Sequence, residues 1–540
     1  MAQFVNAKEH LVQEAIDGLL ACSGGALARL DGYPHIKVVY RADWAQDKVA
    51  LISGGGSGHE PAHAGFVGPG MLTAAVCGEV FASPSVDAVL AGILAVTGEA
   101  GCVLIVKNYT GDRLNFGLAA ERARALGKKV EMVVVDDDVA LPDLPQPRGV
   151  AGTLFVHKIA GAMAENGGAL DEVAEAARSV IARVASIGKS LDTCTVPGSP
   201  KEDRIPVGKA ELGLGIHGEP GVEQVDFGGA ADAMTVVLDK LRPHSKGGTC
   251  VALVNNLGST TPLEMSVLCH GLAQAGFATH VIGPAPMMTS LDMHGFSVSI
   301  LDATEAEMDA LMRPVPMAAW PQMQRLAAPK VAALPTGMSP AEPMASHDDM
   351  AHGILSAVCD ALRDAEADLN ALDAKSGDGD TGSTLATAAR ALKSDLGKLP
   401  LADQTQLFRA LGNALSQTMG GSSGVILAIF FGAAGDASAG GVTAHKALLA
   451  GLQRICEVGG ASVGDRTMID ALAPALDALE GGLEAAAIAA RNGADATASI
   501  HRAKAGRAAY VPSENLKGNN DPGAEAVALV FEALAHRQGE

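Results

Sequence analysis

The chain has 540 residues, of which 48% are hydrophobic and 19% charged, and its formal net charge is −21. At about 150 residues per domain, this length predicts three or four domains, each able to bury its own core. The acidic balance argues against a nucleic-acid partner, because neutralising phosphates requires clustered lysines and arginines. Aromatic residues make up only 3% of the chain, which argues against stacking platforms for bases.

We expect neither a membrane span nor a secretory leader. Apolar runs such as residues 424–431 stop short of the roughly 20 residues that a membrane span needs. The first residues lack a basic region followed by an apolar one. The eight cysteines are scattered without a C-x-x-C pair, which is typical of reduced thiols and argues against a cysteine-based zinc site. These features predict a cytoplasmic protein without a membrane partner.

The first 330 residues alternate apolar runs with helical patterns, which predicts an α/β fold with a largely parallel sheet. A long helix at about residues 153–187 is expected to lead to a second α/β subdomain. The other predicted elements are strands at residues 48–53, 102–107 and 130–135, a crossover helix at 114–126, and strands near 250–254 and 279–282.

A proline-rich stretch from about residue 312 to 346 divides the chain. Such a segment cannot continue a helix and is typical of a semi-extended linker. Beyond it the strand patterns end, and apolar residues at a period of four mark amphipathic helices, beginning with Met350, Ile354, Val358 and Leu362. The predicted organisation is an α/β region at residues 1–330 with a break near 187, a linker at 331–347 and an all-α domain at 348–540.

A glycine-rich stretch, residues 53–61, follows the first predicted strand. Ligands of α/β sheets bind at the carboxyl ends of parallel strands, and glycines there expose backbone N–H groups to phosphate or to small oxygen-rich substrates. Lys107 and Asp112 follow the next strand in the same way, and with His59 they could perform acid–base chemistry on an alcohol. From the residues alone, a tight turn and a solvated ion pair remain the alternatives at these two places.

His217 lies in residues 213–221, where four glycines and a proline leave its ring few neighbours from its own segment. Small residues on both sides let a substrate approach the imidazole closely. A histidine is near-neutral at physiological pH, so a ring nitrogen can act as ligand, base or nucleophile. A turn that happens to contain a histidine is the alternative.

In the last region, Asp373, Asp378 and Asp380 place three carboxylates within eight residues, among glycines that let the backbone turn sharply. Oxygen-only clusters of this kind suit Mg²⁺ or Ca²⁺. A helix is predicted to begin directly afterwards, at Thr384, and a metal beside a helix N-terminus suits a nucleoside triphosphate. An acidic solvated turn is the alternative.

Two further loops of this region are candidates for phosphate contacts. Residues 418–424 are rich in glycine and serine and open an apolar helix predicted from Val425. In the loop from 506 to 523, Asp521 is predicted to cap a helix whose first residue is Pro522. Arg507 in the same loop is able to pair with a phosphate.

With these motifs assembled, the chain resembles the single-chain, ATP-dependent dihydroxyacetone kinases, also called glycerone kinases, over nearly its whole length. The resemblance implies an α/β substrate domain, an eight-helix barrel that binds ATP and Mg²⁺, and a homodimer in which each barrel presents the γ-phosphate to the substrate domain of the partner subunit. The resemblance rests on a series of family motifs that follow one another along the chain in one order. They lie at residues 53–61, 65–68, 107–112, 213–221, 373–384, 418–424, 464–468, 506–507 and 521–523.

The resemblance also implies residue roles in the substrate domain. His217 would attack the substrate carbonyl and hold it as a hemiaminal, which selects short ketoses and aldoses over glycerol. Asp112 and His59 would act on the terminal hydroxyl as base and hydrogen-bond partner, so that dihydroxyacetone, and glyceraldehyde as well, becomes the triose phosphate. The further substrate-binding residues would be Gly56, Ser57, Gly58 and Lys107.

In the helical domain, the resemblance implies that Asp373, Asp378 and Asp380 hold Mg²⁺ ions bridging the ATP phosphates. The chain departs from the family pattern at residues 508–520, in the region of the nucleotide lid, where relatives often have a Gly-Glu-Arg-Ser type sequence. The implied nucleotide-binding residues are Thr381, Gly382, Ser383, Thr384, Ser422, Ser423, Gly459, Met468, Arg507, Asp521, Pro522 and Gly523.

Other functions remain open at this point. The kinase could prefer a four-carbon ketose such as erythrulose, since a hemiaminal needs only a carbonyl beside a hydroxyl. It could depend on a phosphocarrier protein that rephosphorylates a bound ADP. A non-enzymatic alternative is a sugar-sensing partner of a transcription regulator, and a lyase side activity on FAD is a further possibility that some relatives show.

Overall fold

A computed structural model describes residues 3–32, 34–140, 146–336 and 344–538. The chain divides into two compact units, Met1–Val331 and Ala332–Glu540. Residues 337–343 of the predicted linker lie outside the described residues. The first unit contains two β-sheets flanked by helices, and the second is helical throughout its described part.

The first sheet has the strand order β1-β2-β4-β3-β5-β6. Strands β4, β3, β5 and β6 run parallel, and β1 and β2 complete the sheet in antiparallel pairs. Apolar cores cover both faces, which is why β3 and β5 are buried along their whole length. The strands are β1 (Leu27–Arg29), β2 (Val38–Arg41), β3 (Ala50–Ser57), β4 (Ala74–Val80), β5 (Cys102–Lys107) and β6 (Val130–Val135). The helices are α1 (Leu11–Ala21), α2 (Val86–Val96), α3 (Thr110–Ala125), α4 (Thr153–Glu165) and α5 (Leu170–Ile181).

The three strands predicted for this sheet are present, and β5 and β6 have the predicted bounds. β3 is longer than predicted, because it continues through the glycines to Ser57 instead of ending at residue 53. A side chain at Gly54 would place its Cβ 2.2 Å from the carbonyl oxygen of Val76, so these glycines let β3 lie directly against β4. The glycine-rich stretch is therefore mainly strand and not loop. The crossover helix α3 begins at Thr110, four residues earlier than predicted.

The single long helix predicted at residues 153–187 is wrong. The turn at Asn166, Gly167 and Gly168 ends α4, and α5 follows as a separate helix. Residue 187, the predicted subdomain break, lies inside a strand of the second sheet, Ala185–Ser190. The prediction of a helix through residue 187 is wrong because Ala185 and Ile187, the apolar residues of this strand, also suit a helix.

The second sheet has the order β13-β11-β10-β12-β7-β8-β9 and is mostly antiparallel, since only β10 and β11 run parallel. The parallel arrangement predicted for the α/β region therefore holds for the first sheet alone. The two predicted strands are present as β10 and β11. The strands are β7 (Ala185–Ser190), β8 (Lys209–Leu212), β9 (Glu223–Asp226), β10 (Thr249–Asn256), β11 (His280–Ala285), β12 (Gly295–Ala303) and β13 (Gln324–Arg325). The helices are α6 (Ala230–Leu241), α7 (Pro262–Ala275) and α8 (Glu305–Met312).

The second unit is all-α in its described residues, as predicted. Eight of its helices contact each other in a closed ring, in the order α9, α11, α12, α13, α14, α15, α16, α18 and back to α9. This closure confirms the eight-helix barrel. The helices are α9 (Asp349–Asp364), α10 (Glu366–Asp373), α11 (Thr381–Asp395), α12 (Gln404–Thr418), α13 (Gly421–Ala439), α14 (Ala444–Gly459), α15 (Ile469–Ala478), α16 (Leu483–Thr497), α17 (Ser513–Leu516) and α18 (Pro522–Gln538).

Helix α13 is longer than the apolar run that predicted it. It begins at Gly421 instead of Val425, and small residues extend it to 19 residues. Among the described residues it is the one helix long and apolar enough to cross a membrane by length and composition, which is weak evidence because a core helix passes the same test. Its Leu427, Phe430 and Phe431 line a cavity inside the ring of helices.

Candidate active site

The carboxyl ends of β3 and β5 bring Gly55, Lys107 and Asp112 together. Lys107 is the last residue of β5, and Asp112 lies in the first turn of α3, which follows directly. Both side chains are buried. A Cβ on Gly55 would lie 2.7 Å from Lys107 Nζ and 3.3 Å from Asp112 Oδ2. The glycine therefore leaves open the space into which the ammonium and the carboxylate point.

Lys107 ends a hydrogen-bonded chain of buried side chains. Its Nζ lies 2.9 Å from Nε2 of His63, and Nδ1 of His63 lies 3.0 Å from Nε2 of His157. Burial lowers the pKa of His63 well below its usual value and that of His157 to about 3, and the nearby Lys107 charge acts in the same direction. Burial also lowers the pKa of Lys107, while Asp112 opposes this. Neutral histidines thus provide the acceptor toward which the lysine ammonium donates.

Replacing His63 with phenylalanine is expected to lower kcat/KM about 10- to 100-fold, because the ammonium loses a charge-assisted hydrogen bond in a buried site. Without its acceptor the charged lysine is less stable, so the alkaline limb of the pH–rate profile should move to lower pH. Steady-state kinetics across pH measure both effects. His35→Phe, at an exposed position of the same unit, is the matched control. An unchanged profile in His63→Phe would contradict this role of His63.

His59 is fully buried beside this group. Its Nδ1 lies 2.9 Å from the carbonyl oxygen of Thr289, which only accepts, so Nδ1 carries the proton and Nε2 a lone pair. Among the described residues Nε2 has no hydrogen-bond partner. Burial lowers the pKa of His59 well below its usual value, with Lys107 and His217 adding to the effect. His59 therefore offers a neutral, unoccupied acceptor.

His217 reaches this place from the loop after β8. Its ring lies edge-on to the rings of His59, Phe81 and Tyr109, at centroid distances of 4.9, 5.4 and 4.4 Å. Nδ1 lies 3.3 Å from Glu219 Oε1, and the backbone N–H of His217 donates to Glu219 Oε2 at 2.8 Å. Burial alone would raise the pKa of Glu219, but the hydrogen bond and charge of His217 together with backbone N–H donors outweigh it, and the pKa is lowered. The carboxylate orients the ring so that Nε2 carries the lone pair.

The first unit thus brings the three predicted catalytic residues, His217, His59 and Asp112, into one neighbourhood, together with Lys107. Gly56 and Gly58 pack closely against Phe81. The Ser57 hydroxyl donates to the carbonyl of Gly78 at 2.8 Å, a hydrogen bond that links β3 to β4. Glu219, His63, His157, Phe81 and Tyr109 were not singled out from the sequence. Glu219 could have been, since a carboxylate two residues from a candidate histidine can orient its ring.

In the second unit, carboxylate oxygens of Asp373, Asp378 and Asp380 lie within 4.8 Å of one another. Asp373 is buried, and its Oδ2 accepts the backbone N–H groups of Gly379, Asp380 and Thr381 at 3.1, 3.0 and 3.2 Å. These bonds close the turn and hold the carboxylates together at the N-terminus of α11. An oxygen-only donor set of this size fits Mg²⁺.

Seven of the predicted nucleotide residues line two separate cavities. Thr381, Thr384, Ser423, Met468 and Gly523 line one cavity of about 240 Å³. Ser422 and Gly459 line a separate groove of about 370 Å³ with Val425, Ile429 and Val458.

The remaining nucleotide candidates have structural contacts. Gly382 lets α11 approach the carbonyl of Glu366. The backbone N–H of Ser383 donates to Asn370 Oδ1 at 3.0 Å, and Asn370 Nδ2 donates to the Ser383 hydroxyl at 2.8 Å. Asp521 caps α18 by accepting the Ala524 N–H at 2.9 Å, ahead of Pro522, as predicted.

Two arginines flank this region. Arg507 begins a short helical turn, and its side chain lies outside the described residues. Arg466, which the sequence did not single out individually, is fully buried; its Nη2 donates to the carbonyl of Asn519 at 2.9 Å, and Nε and Nη1 have no partner among the described residues. Burial raises the pKa of the neighbouring Asp521 to about 6, and Arg466 opposes this rise.

Comparisons with known proteins agree with this two-part arrangement. Residues 18–319 match the Dak1 domain and residues 375–536 the DAK2 domain. A dihydroxyacetone kinase of Citrobacter freundii is 48% identical over 99% of both chains. A putative 3,4-dihydroxy-2-butanone kinase of Solanum lycopersicum is 42% identical over 99% of this chain and 97% of its own. The crystal structure of the C. freundii enzyme in complex with AMP-PNP and Mg²⁺ covers 99% of both chains with a TM-score of 0.67 and 46% identity.

A Dak1 domain with a histidine pocket, joined to a DAK2 barrel with an acidic cluster, defines a kinase. The fold of each unit is that of the solved C. freundii enzyme. The chain belongs to the dihydroxyacetone kinase family.

Proposed function

We propose that the protein phosphorylates dihydroxyacetone, and glyceraldehyde as well, with ATP and Mg²⁺, while His217 holds the substrate carbonyl as a hemiaminal. The observation that carries the proposal is the ring of His217, oriented by Glu219 through Nδ1 and facing His59 and Tyr109. An imidazole whose Nδ1 faces a carboxylate presents the lone pair of Nε2, and beside a buried lysine and carboxylate this suits capture of a small hydroxy-carbonyl compound. The names of the relatives in C. freundii and tomato support this substrate class.

In the capture step, His217 Nε2 forms a bond to the carbonyl carbon while the carbon–oxygen π bond breaks. The ring gives its Nδ1 proton to the Glu219 carboxylate, so the alkylated imidazole is neutral. The carbonyl oxygen takes up one proton from water and Glu219 returns one to water, so the number of bound protons does not change. The rings of Phe81 and Tyr109 restrict the space around the nitrogen. This arrangement favours a short carbon chain.

In the transfer step, Asp112 accepts the proton of the terminal hydroxyl as that oxygen attacks the γ-phosphorus of ATP, and the bond from this phosphorus to the bridging oxygen breaks and releases ADP. His59 accepts a hydrogen bond only through Nε2, since Nδ1 is committed to Thr289, so it orients a substrate hydroxyl and does not donate to it. Lys107 donates to substrate oxygens from its position at the end of β5. The proximity of these groups supplies orientation, which is the main requirement of phosphoryl transfer.

For the nucleotide, Asp373, Asp378 and Asp380 would hold Mg²⁺, which neutralises phosphate charge when bound. The backbone N–H groups at the start of α11 and the hydroxyls of Thr381 and Thr384 would contact phosphate oxygens. The apolar groove between α13 and α14 offers a surface for the base, with Ser422 and Gly459 in its lining. We further propose a cytoplasmic homodimer, as the family resemblance implies.

The test is a substrate panel with purified protein, ATP and Mg²⁺. We expect kcat/KM to be highest for dihydroxyacetone, lower for glyceraldehyde and erythrulose, and undetectable for glycerol, which has no carbonyl. Phosphorylation of glycerol at a comparable rate would contradict the hemiaminal. A clear preference for erythrulose would favour the four-carbon alternative, which the name of the tomato relative also raises.

Two other functions are less well supported. A sugar-sensing partner of a transcription regulator would have no need for the aspartate cluster, which is intact here. Dependence on a phosphocarrier protein is disfavoured because both domains are joined in one chain. If the protein turns over substrate only after a phosphocarrier protein is added, the use of exchangeable ATP is wrong. The lyase side activity on FAD has its own test, which is manganese-dependent release of cyclic FMN.

A further inference from the structure

Lys189 occupies a core position of the second sheet. Alternate residues of a strand share one face, so Lys189 points the same way as Ala185 and Ile187 of β7. Both of these lie in the apolar core that α6 and α7 cover. In the sheet register Lys189 lies between Leu212 of β8 and Phe296 of β12, which are also buried in this core. The alternation along β7 predicts an apolar residue at position 189, but the residue there is a lysine.

The Lys189 ammonium lacks a hydrogen-bond partner among the described residues. Its side chain is 2% exposed, and the nearest carboxylate oxygen, Asp232 Oδ2 on α6, is 3.8 Å away on a side chain that is 46% exposed. Burial lowers the pKa of Lys189, and Asp232 opposes this. His294 and Glu264, which also border this place, bind each other at 2.8 Å. A buried charge without a close partner is costly, so an anion bound beside it would be stabilising.

A cavity of about 280 Å³ lies against this lysine. Phe296 and Leu268 form its inner wall, and Phe227, Leu263 and Val267 line it toward the surface, where all three are exposed. The size is close to the lower limit of about 300 Å³ for small-molecule sites, which favours a compact ligand. The walls are mostly apolar, with Ser190, Thr260 and the His294–Glu264 pair as the polar exceptions, and among the described residues Lys189 is the one lysine or arginine that lines the cavity.

Helix α6 adds positive potential to the same cavity, which Ala230 at its first position lines. The residue before the helix is Gly229, and no side chain caps the N-terminal turn. Unsatisfied N–H groups at a helix N-terminus attract anions. The lysine and the helix end therefore favour the same sign of ligand charge.

We propose that this cavity is a binding site for a small monocarboxylic acid, whose carboxylate pairs with Lys189 and the first turn of α6 and whose apolar body packs on Phe296 and Leu263. An ammonium has three N–H donors, so a bound carboxylate leaves one for Asp232. Inorganic phosphate fits less well, because it would meet apolar walls and a single cation. The site takes no part in the proposed kinase reaction.

The test is isothermal titration of the full-length protein with hexanoate, with hexan-1-ol as the uncharged probe and inorganic phosphate as the anion without an apolar body. We expect saturable binding of hexanoate and at least about tenfold weaker binding of both other probes. Lys189→Met keeps an unbranched side chain that is one atom shorter and removes the charge, so hexanoate affinity should fall at least tenfold as well. Because binding is measured and not turnover, the result is independent of the proposed kinase reaction.

Leu263 provides a second pair of variants that does not disturb the core, since this side chain is 77% exposed. Leu263→Lys and Leu263→Glu both remove the apolar contact and differ in charge, so hexanoate should bind Leu263→Lys more tightly than Leu263→Glu. Equal binding of hexanoate and hexan-1-ol, tighter binding of phosphate, or unchanged hexanoate affinity in Lys189→Met would overturn the proposal. So would the absence of hexanoate binding together with a changed oligomeric state of Lys189→Met, which would assign the cavity to a contact between subunits.

Discussion

Replacing His217 with alanine is expected to lower kcat/KM for dihydroxyacetone by about 100-fold or more, because the carbonyl loses the nitrogen that holds it beside Asp112. Glu219→Gln should give a smaller loss, since the amide oxygen still accepts from Nδ1 but no longer takes up its proton. In the structure this carboxylate binds both the ring and the backbone N–H of His217. Steady-state kinetics with varied dihydroxyacetone at saturating ATP measure both variants.

His270→Ala is the matched control, because this histidine is exposed on α7 of the same unit and touches none of the candidate site residues. Its kinetic constants should equal those of the wild type. The affinity of His217→Ala for ATP should also be unchanged, since the aspartate cluster belongs to the other unit. If kcat and KM of His217→Ala both stay at wild-type values, the covalent role of His217 is wrong.

Replacing Asp380 with asparagine is expected to weaken Mg²⁺–ATP at least about tenfold, because the change removes one negative charge from a three-carboxylate cluster. The backbone N–H of Asp380 still donates to Asp373 Oδ2, so the turn before α11 should remain closed. The measurements are the apparent KM for ATP at varied Mg²⁺ and direct titration with AMP-PNP and Mg²⁺.

Asp368→Asn tests whether this effect is specific. Asp368 is exposed on α10, the helix that ends at Asp373, and it is not a member of the cluster. The control removes the same charge from the same unit and should leave nucleotide affinity within a factor of about two. Equal nucleotide affinity in Asp380→Asn and the wild type would remove Asp380 from the proposed metal ligands.

Several features of this protein could be predicted from the sequence because they depend on neighbours along the chain. Strands β5 and β6 appear as short apolar runs, and the cap of Asp521 on α18 follows from an Asp-Pro pair before a helical pattern. The aspartate cluster is local as well, since its three carboxylates lie within eight residues. The division into an α/β part and a helical part follows from the change in periodicity.

Predictions from the local sequence are wrong where a residue type is common in more than one secondary structure. The glycines after Ile52 predicted a loop but belong to β3, because glycine allows close strand contact as readily as a turn. The end of the predicted long helix, residues 185–187, belongs to β7, and the prediction is wrong because Ala185 and Ile187 suit both structures. The antiparallel second sheet could not be predicted, because strand direction depends on how the chain connects distant segments.

By itself, the sequence determined the two-part organisation, the acidic cluster and the presence of a histidine in a loop of small residues. Only the tertiary structure decided what surrounds that histidine: His59, Phe81 and Tyr109 come from segments more than 100 residues away. The same holds for the pairing of Lys107 with His63 and for the position of Lys189 in an apolar core. The physical reason is that periodicity reports backbone conformation and burial, whereas the neighbours of a side chain depend on the path of the whole chain.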